Sequence, residues 1–463
     1  MRLYLISPHN NLATLGAGMG IRGIKNLWMR FRNFKPLGLL TIAALTPSEW
    51  EIKVFDENIS VPNYLTMPMP DLVGISAFTS QAPRAYEVAT LFRKRGVPVV
   101  IGGIHASMCP EEASRYADSV VMGEAESVWK TVLDDVRKRT LKSSYIGTFV
   151  EGDKIAPARH DLLQNEYFVG AIQTARGCPF NCSFCSVTSF NGGRYRYRPV
   201  EDLIKELKLI REKYLFIIDD NIIGFHDDHK ARAKELFRAM IKADIGKKWG
   251  VQATINIADD DELLELAAKA GCRVVFIGFE TLSKDGFREI NKICKMKDFQ
   301  NSVKRIRQKG IRVQGSFVIG LDVDQKGVGK LIADTSDQYG MDFIVVQVLT
   351  PLPGTRLWNK MKSENRILAI NFPEDWKYYT FGFPVAQYAN LSSKDMIDEL
   401  DSSYETFYSY GRILRRLLRS LRHLWDFIFV LTANLGFRSI VGLNRKTFKE
   451  YYKRIGGVER QFN

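Results

Sequence analysis

Cysteine and histidine are scarce in this 463-residue chain, with six of each. Six cysteines are far too few for a disulfide scaffold at this length, which argues against a secreted, cross-linked class. No run of 18 apolar residues occurs, so a spanning helix is not expected. There is no internal repeat and no low-complexity tract. The stretch Met1–Pro8 reaches a Pro-His-Asn turn after only a few apolar residues, so it reads as a buried strand rather than a signal peptide, and a cytoplasmic location is expected.

Net charge is +14, and its distribution says more than its total. Residues 411–463 hold twelve Lys and Arg against Asp426, Glu450 and Glu459, a net +9 that leaves +5 for the rest. The basic excess belongs to the C-terminal tail, which is not the pattern of a nucleic-acid binder.

Half of the scarce cysteines stand together. Arg176-Gly-Cys-Pro-Phe-Asn-Cys-Ser-Phe-Cys185 is a CxxxCxxC triplet made of Cys178, Cys182 and Cys185. Three thiolates on one short loop suit three irons of a 4Fe-4S cubane and leave the fourth iron open. The competing reading is a zinc knuckle, but zinc closes with four ligands in paired spacings. Cys109, Cys272 and Cys294 supply no such pair.

The triplet, with an aromatic residue before its last cysteine, resembles the cluster loop of the radical SAM superfamily. That resemblance implies S-adenosylmethionine chelated to the open iron, and an electron donor such as flavodoxin or ferredoxin. Strand and helix patterns alternate from about Ala171 to Met361, predicting six βα units of a partial parallel barrel with its active groups on strand-end loops. Five further strand-end segments carry features that match the family. Asp219, Asp220 and Asn221 end the second strand, where the resemblance implies contact with the ammonium and ribose of S-adenosylmethionine; a salt-bridged surface turn is the alternative, since Asp-Asp is common at helix caps. Gln252 and Asn256 lie on or after the third strand, and Glu280 ends the fourth in a GxE segment, where a carboxylate suits ribose hydroxyls. Gly315 and Ile319 belong to a fifth-strand segment implied to pack on adenine, although an ordinary buried strand has the same pattern. Thr350-Pro-Leu-Pro-Gly-Thr355 resembles the PxPGT turn of the cobalamin-type enzymes.

Strand candidates in the first third, Arg2–Ser7, Glu51–Asp56, Asp71–Ala77, Val97–Gly102 and Asp118–Met122, predict a doubly wound parallel sheet. Gly16-Ala-Gly-Met-Gly20 is GxGxG, not GxGxxG, and reads as a loop. The region resembles the cobalamin-binding domain found before many radical SAM cores. On that resemblance Ser76, Gly102 and Gly103 approach the nucleotide tail of the corrinoid, and glycines at a strand end let backbone come close to a bulky ligand. Gly123-Glu-Ala-Glu126 matches the GExE turn of these proteins. The DxHxxG histidine that ligates cobalt is missing, since residues 33–40 hold no His and Ser7-Pro-His9-Asn is not that motif. Many relatives lack it too.

Residues 395–463 read as helical. Arg412, Arg415, Arg416, Arg419 and Arg422 fall on one arc, with Ile413, Leu414, Leu417, Leu418, Leu421, Leu424 and Trp425 on the other. Such a split suits either a membrane-surface helix at the inner face of a membrane or a helix packed on the barrel with a solvated basic face.

The sequence thus predicts four parts: 1–140 cobalamin-binding-like, 141–169 linker, 170–365 radical SAM core, and 366–463 basic and mostly helical. The domain order resembles the hopanoid C-2 methylase type of enzyme. The implied function is cobalamin-dependent radical chemistry with 4Fe-4S, S-adenosylmethionine and cobalamin, abstracting hydrogen from an unactivated carbon for methyl transfer to a small-molecule or lipid substrate. A radical cyclase without methyl transfer and a corrinoid- or S-adenosylmethionine-binding regulator are the alternatives. No residue is singled out as the catalytic acid or base.

Overall fold

The computed structural model describes residues 1–10, 12, 34–163, 167–292, 298–418, 424–440 and 444–459. Gly16–Gly20, Cys294, Arg419, Leu421 and Arg422 lie outside the described residues, as do the side chains of Leu424 and Trp425.

Two six-stranded sheets organise the chain, and both are parallel throughout. The first contains β1 (Arg2–Ser7), β2 (Glu51–Asp56), β3 (Leu72–Ser76), β4 (Val99–Gly102), β5 (Ser119–Met122) and β6 (Ser144–Ile146). Its order, β2-β1-β3-β4-β5-β6, is doubly wound, with the direction of winding reversing beside β1. Both faces are covered, so its strands read as continuous apolar runs. Leu3, Leu5, Leu72, Val100 and Val121 pack against helices Leu37–Ala44 and Trp129–Lys138. The alternate residues Tyr4, Ile6, Val73, Ile75, Val99 and Ile101 belong to the core that includes helix Ala82–Arg93. β6 carries the sheet past residue 140. Its three residues bury only Tyr145, too little pattern to be read from sequence.

The second sheet takes β7 (Val169–Ile172), β10 (Tyr214–Ile217), β11 (Lys248–Ala253), β12 (Cys272–Glu280), β13 (Arg312–Ile319) and β14 (Phe343–Val348) in sequential order, each crossover carrying a helix. Between β7 and β10 a short antiparallel ribbon, β8 (Ala175–Arg176) with β9 (Arg196–Tyr197), closes the neck of the cysteine loop. Burial alternates along β12: Val275, Ile277 and Phe279 are buried, whereas Val274, Phe276, Gly278 and Glu280 are only half-buried. Phe279 meets Phe299 of helix Phe299–Gln308, so the odd-numbered set faces the helices and the even-numbered set faces the concave side. Register extends that concave row across the sheet, with Gln252 beside Phe276 and Phe276 beside Gln314.

The C-terminal region is helical. Ser393–Phe407 packs on helix Val328–Tyr339, where Glu399 accepts the N–H groups of Gly327 and Gly329 at 2.7 and 2.8 Å. Helix Tyr410–Leu418 corrects the expected arc of solvated arginines. Arg412 and Arg416 turn inward to Asp334 and Asp337, while Tyr410, Leu414 and Leu418 are exposed. Among the described residues no helix is long and apolar enough to cross a membrane.

Candidate active site

The cysteine loop leaves β8 through Gly177, whose φ is +90°. A Cβ there would lie 2.2 Å from Arg194 O, so only glycine passes this neck. The backbone N–H of Phe180 lowers the pKa of Cys178, and those of Val187 and Thr188 lower that of Cys185. Burial pushes Cys178 and Cys182 up to about 12 and raises Cys185, while the three thiols repel one another's charge. Thiols so placed ionise only beside strong positive charge, which an iron cluster supplies. Among the described residues no group of three His, Cys, Asp or Glu gathers about a point to hold a single metal ion. A cubane offers each cysteine its own iron, so the donor set and its N–H partners fit a cluster.

Two other strand-end segments hold the loop. Ser183 N–H donates to Ile290 O at 2.9 Å, and Asn291 Nδ2 to Asn181 O at 2.7 Å. From the PxPGT turn, Leu357 N–H donates to Ser183 O at 2.9 Å, Arg356 reaches Asn181 O, and Gly354 O accepts the Ser189 hydroxyl at 2.9 Å.

Beside the loop stand Asp220, Glu280 and Lys292. Asp220 raises the Cys178 and Cys185 pKa values, Glu280 raises those of Cys182 and Cys185, and Lys292 lowers those of Cys178 and Cys182, so the charges of all three reach the thiols. Asp220 accepts from Asn191 Nδ2 at 3.2 Å, and burial pushes its carboxyl up to about 6. Lys292 Nζ donates to Glu280 Oε1 at 2.6 Å. Glu280 itself sits at φ +62°, a backbone conformation that L residues occupy only at a cost. Gln252 faces the same concave side, and its amide has no hydrogen-bond partner among the described residues.

The remaining second-sheet candidates are spent on the fold. Asp219 is fully buried and accepts the Thr174 N–H at 2.6 Å, the Thr174 hydroxyl and the Ala175 N–H at 3.2 Å, so it anchors the end of β7. Burial pushes its carboxyl up to about 7. The expected carboxylate pair is therefore one anchor and one group beside the thiols. Asn221 bonds Thr254 and Ile223, and Asn256 bonds Thr254 and Gly224. Gly315 and Ile319 lie on the packed side of β13. A Cβ on Gly315 would meet Met341 Sδ at 2.5 Å, and Ile319 is completely buried. Both belong to the odd-numbered set of β13, whose concave-facing residues are Gln314, Ser316 and Val318.

In the first sheet Ser76, Gly102 and Gly103 meet at the carboxyl ends of β3 and β4. Gly103 has φ +88°, and a Cβ on it would lie 2.8 Å from Ser76 Oγ and 2.9 Å from Ala77 N. Gly102 has only ordinary contacts, nearest Val121 O at 3.5 Å. The Ser76 hydroxyl has no partner among the described residues, and Phe78 beside it is exposed. Half-exposed glycine, an uncommitted hydroxyl and an open aromatic face suit a large ligand at this strand end. His9 bonds Glu57 Oε2 through Nδ1 at 3.0 Å.

Sequence reading missed two features here. Lys292 stands in no motif and meets Glu280 only through the fold. Arg176 and Arg196, at the neck of the cysteine loop, bind Glu124 and Glu126 of the first sheet's GExE turn.

Residues 172–332 match the family model described as the radical SAM superfamily, and residues 32–133 match the B12 binding domain. The chain is 29% identical over 454 residues to the bacteriochlorophyllide d C-8(2)-methyltransferase of Chlorobaculum tepidum, covering 92% of this chain and 97% of that protein. It is 27% identical over 350 residues to the hopanoid C-2 methylase of Rhodopseudomonas palustris, covering 72% and 65%. Among solved structures, the radical S-adenosylmethionine methyltransferase TsrM of Kitasatospora setae, with cobalamin and a [4Fe-4S] cluster bound, superposes with a TM-score of 0.67 at 15% identity, covering 97% of this chain and 99% of that one. The cobalamin-dependent S-adenosylmethionine radical enzyme OxsB superposes at 0.67 and 14% identity, covering 95% and 71%.

Proposed function

We propose that this chain, a member of the cobalamin-binding radical SAM family, transfers a methyl group from S-adenosylmethionine to an unactivated carbon of an apolar small molecule. When bound, a 4Fe-4S cluster supplies the electron that cleaves S-adenosylmethionine, and cobalamin supplies a methyl carrier. The observation that carries this reading is the position of the cysteine loop. Its neck is gripped by the first sheet's GExE turn, and its thiols stand beside Asp220, Glu280 and Lys292 of the second.

In this reading Cys178, Cys182 and Cys185 hold the cluster. Lys292 and Glu280 together offer a cation and a carboxylate to the two charged ends and the ribose of S-adenosylmethionine, with Asp220 and Gln252 as further partners. Ser76, Gly102 and Gly103 take the corrinoid. Phe216, Ile218, Val274, Phe276 and Val345 leave an apolar, half-exposed concave face, with Phe34 stacked on Phe216 at 4.7 Å, which favours an apolar substrate and limits water there. The named relatives act on bacteriochlorophyllides and hopanoids, and large ring systems of that apolar kind are the substrate class proposed. The four-part division at residues 140, 169 and 365 belongs to the same reading, with the first boundary moved beyond β6.

The test is anaerobic turnover with methyl-deuterated S-adenosylmethionine, dithionite and a panel of hopanoids and chlorophyllides. Deuterated methyl in a product together with 5'-deoxyadenosine is the expected result, and alanine at any of the three cysteines removes both. Deoxyadenosine with unmethylated, rearranged product would favour a cyclase, and no deoxyadenosine would favour a binding protein. Flavodoxin or ferredoxin is the proposed reductant.

The same reading includes peripheral contact with anionic lipid. Tyr410, Leu414 and Leu418, four residues apart, are exposed on one helix face within a segment of net +9. Flotation with anionic liposomes at low salt tests it. Folded wild-type chain should float and a Leu414→Glu/Leu418→Glu variant should not; wild type that stays at the bottom ends this part of the reading.

A further inference from the structure

The neck of the cysteine loop is held by a different sheet. β5 ends at Met122, and Gly123 (φ +73°) turns the chain into Glu124-Ala-Glu126. A Cβ on Gly123 would lie 2.5 Å from Gly147 O, and one on Gly147 would lie 2.2 Å from Glu124 O, so two glycines allow this turn to pack backbone against backbone. Glu124 is buried. Its Oε2 accepts the Val150 N–H at 2.7 Å and Arg196 Nη1 at 2.7 Å, and lies 3.2 Å from Arg176 Nη1; its Oε1 takes Arg196 Nη2. Glu126 Oε1 accepts Arg176 Nη2 at 2.5 Å.

Arg176 and Arg196 are register partners in the β8–β9 ribbon. One lies just before Cys178 and the other beyond the helix that follows Cys185. Arg176 is steadied further by Gln173 Oε1 at 2.9 Å, and Arg196 by Val150 O at 2.6 Å and by the Phe149 ring 4.9 Å away. The other ties on the loop described above are hydrogen bonds to backbone carbonyl groups from the second half of the chain. The neck alone is held by paired charges from the first sheet, and arginine–carboxylate pairs fix direction as well as distance. Two carboxylates against two guanidinium groups leave no net charge. Apolar packing of equal volume would hold such a buried site at least as firmly, so the value of the ion pairs lies in orientation.

We propose that Glu124 and Glu126 are positioning residues for the metal centre: the turn after β5 sets the placement of the cysteine loop, so the corrinoid-type sheet governs how S-adenosylmethionine meets the cluster. The inference rests on the cluster reading above. Its mechanism is geometric, since a displacement of about 1 Å in a reacting pair costs on the order of 100-fold in rate.

The test compares wild type with Glu126→Ala, Glu126→Gln and Glu124→Gln after anaerobic reconstitution with iron and sulfide. Three quantities are read: iron content, the thermal midpoint of the apo-protein, and the electron paramagnetic resonance spectrum of the reduced cluster with and without S-adenosylmethionine. Glu126→Ala is expected to keep its iron but to lose the spectral change that S-adenosylmethionine causes, and to form deoxyadenosine on the order of 100-fold more slowly. Glu126→Gln, which still offers Arg176 an acceptor, should recover much of both. If Glu126→Ala fails to fold, the two glutamine variants carry the same comparison. Wild-type spectra and wild-type deoxyadenosine rates in all folded variants would overturn the proposal, as would lower midpoints with unaltered spectra. A wild-type chain that binds no iron, or whose spectrum ignores S-adenosylmethionine, would overturn the cluster reading itself and this proposal with it.

Discussion

Lys292 Nζ lies 2.6 Å from Glu280 Oε1 and 2.8 Å from Gly278 O, so one ammonium group ties the end of β12 to the carboxylate that the same strand presents. The pair is nearly buried, and its geometry depends on the glycine between them. The lysine engages one oxygen of Glu280, whose left-handed backbone is held in place by this contact and by the register shift against β13.

Gly278→Ala should break that arrangement. A Cβ at position 278 would lie 2.2 Å from Glu280 Oε1 and 2.9 Å from Lys292 Nζ, so one of them must move. Affinity for S-adenosylmethionine should fall at least ~10-fold, about 1.4 kcal/mol, with iron content unchanged. Equilibrium dialysis against labelled S-adenosylmethionine checks it.

Gly103→Ala should act on the first sheet. Its Cβ would meet Ser76 Oγ at 2.8 Å and the Ala77 backbone at 2.9 and 3.0 Å, at a φ of +88°. The strain costs about 1–3 kcal/mol, visible in chemical denaturation. Retention of cobalamin on a desalting column should fall while the cluster absorption persists.

Helix Tyr410–Leu418 should depend on Arg416. Its guanidinium contacts Asp337 at 2.7 Å, Asn434 Oδ1 at 3.1 Å, the Phe407 carbonyl at 2.5 Å and the Phe407 ring at 3.9 Å. Arg416→Ala leaves Asp337 with Arg412 alone, 3.3 Å away, and takes the donor from Asn434 Oδ1 and the Phe407 carbonyl, which should destabilise the chain by about 1–3 kcal/mol. Limited proteolysis should then cut first near this helix; an unchanged cleavage pattern would count against the inward orientation.

Glu57 supplies a pH dependence. Burial alone would raise its carboxyl, but hydrogen bonds from His9 and Arg84 hold it at about 2 against an ordinary 4.5. A depressed carboxyl stabilises the fold fully above pH 4.5 and loses that contribution as pH falls from 4.5 towards 2, about 3 kcal/mol in all. Thermal midpoints of the apo-protein should therefore differ most between wild type and Glu57→Gln above pH 5, and the gap should narrow below pH 4. A constant gap would show that charge at Glu57 is not the source.

The sheets were legible because their strands are apolar runs at regular spacing, and the cysteine triplet because three thiols at that spacing suit few other uses. Phase was not legible in β13. Gly315–Ile319 is apolar or small on both faces, and only the fold shows that Gly315 makes room for Met341 while Ser316 and Val318 face the concave side. The arc of arginines in the tail was visible too, but periodicity gives the two faces of a helix without saying which points inward. The buried side draws on both arcs, Arg416 with Ile413 and Leu417, while Arg415, Leu414 and Leu418 are exposed, because Asp334 and Asp337, some eighty residues earlier, hold the inward arginines. Long-range pairs such as Arg176 with Glu126 leave no local trace in sequence.

In the proposed function one chain carries both a cluster and a corrinoid. Its most direct test is the visible absorption spectrum of anaerobically reconstituted protein, incubated with hydroxocobalamin and desalted, against a control without cobalamin. Stoichiometric corrinoid retained beside the iron–sulfur band is the predicted result. An iron–sulfur band with no corrinoid above control would contradict it.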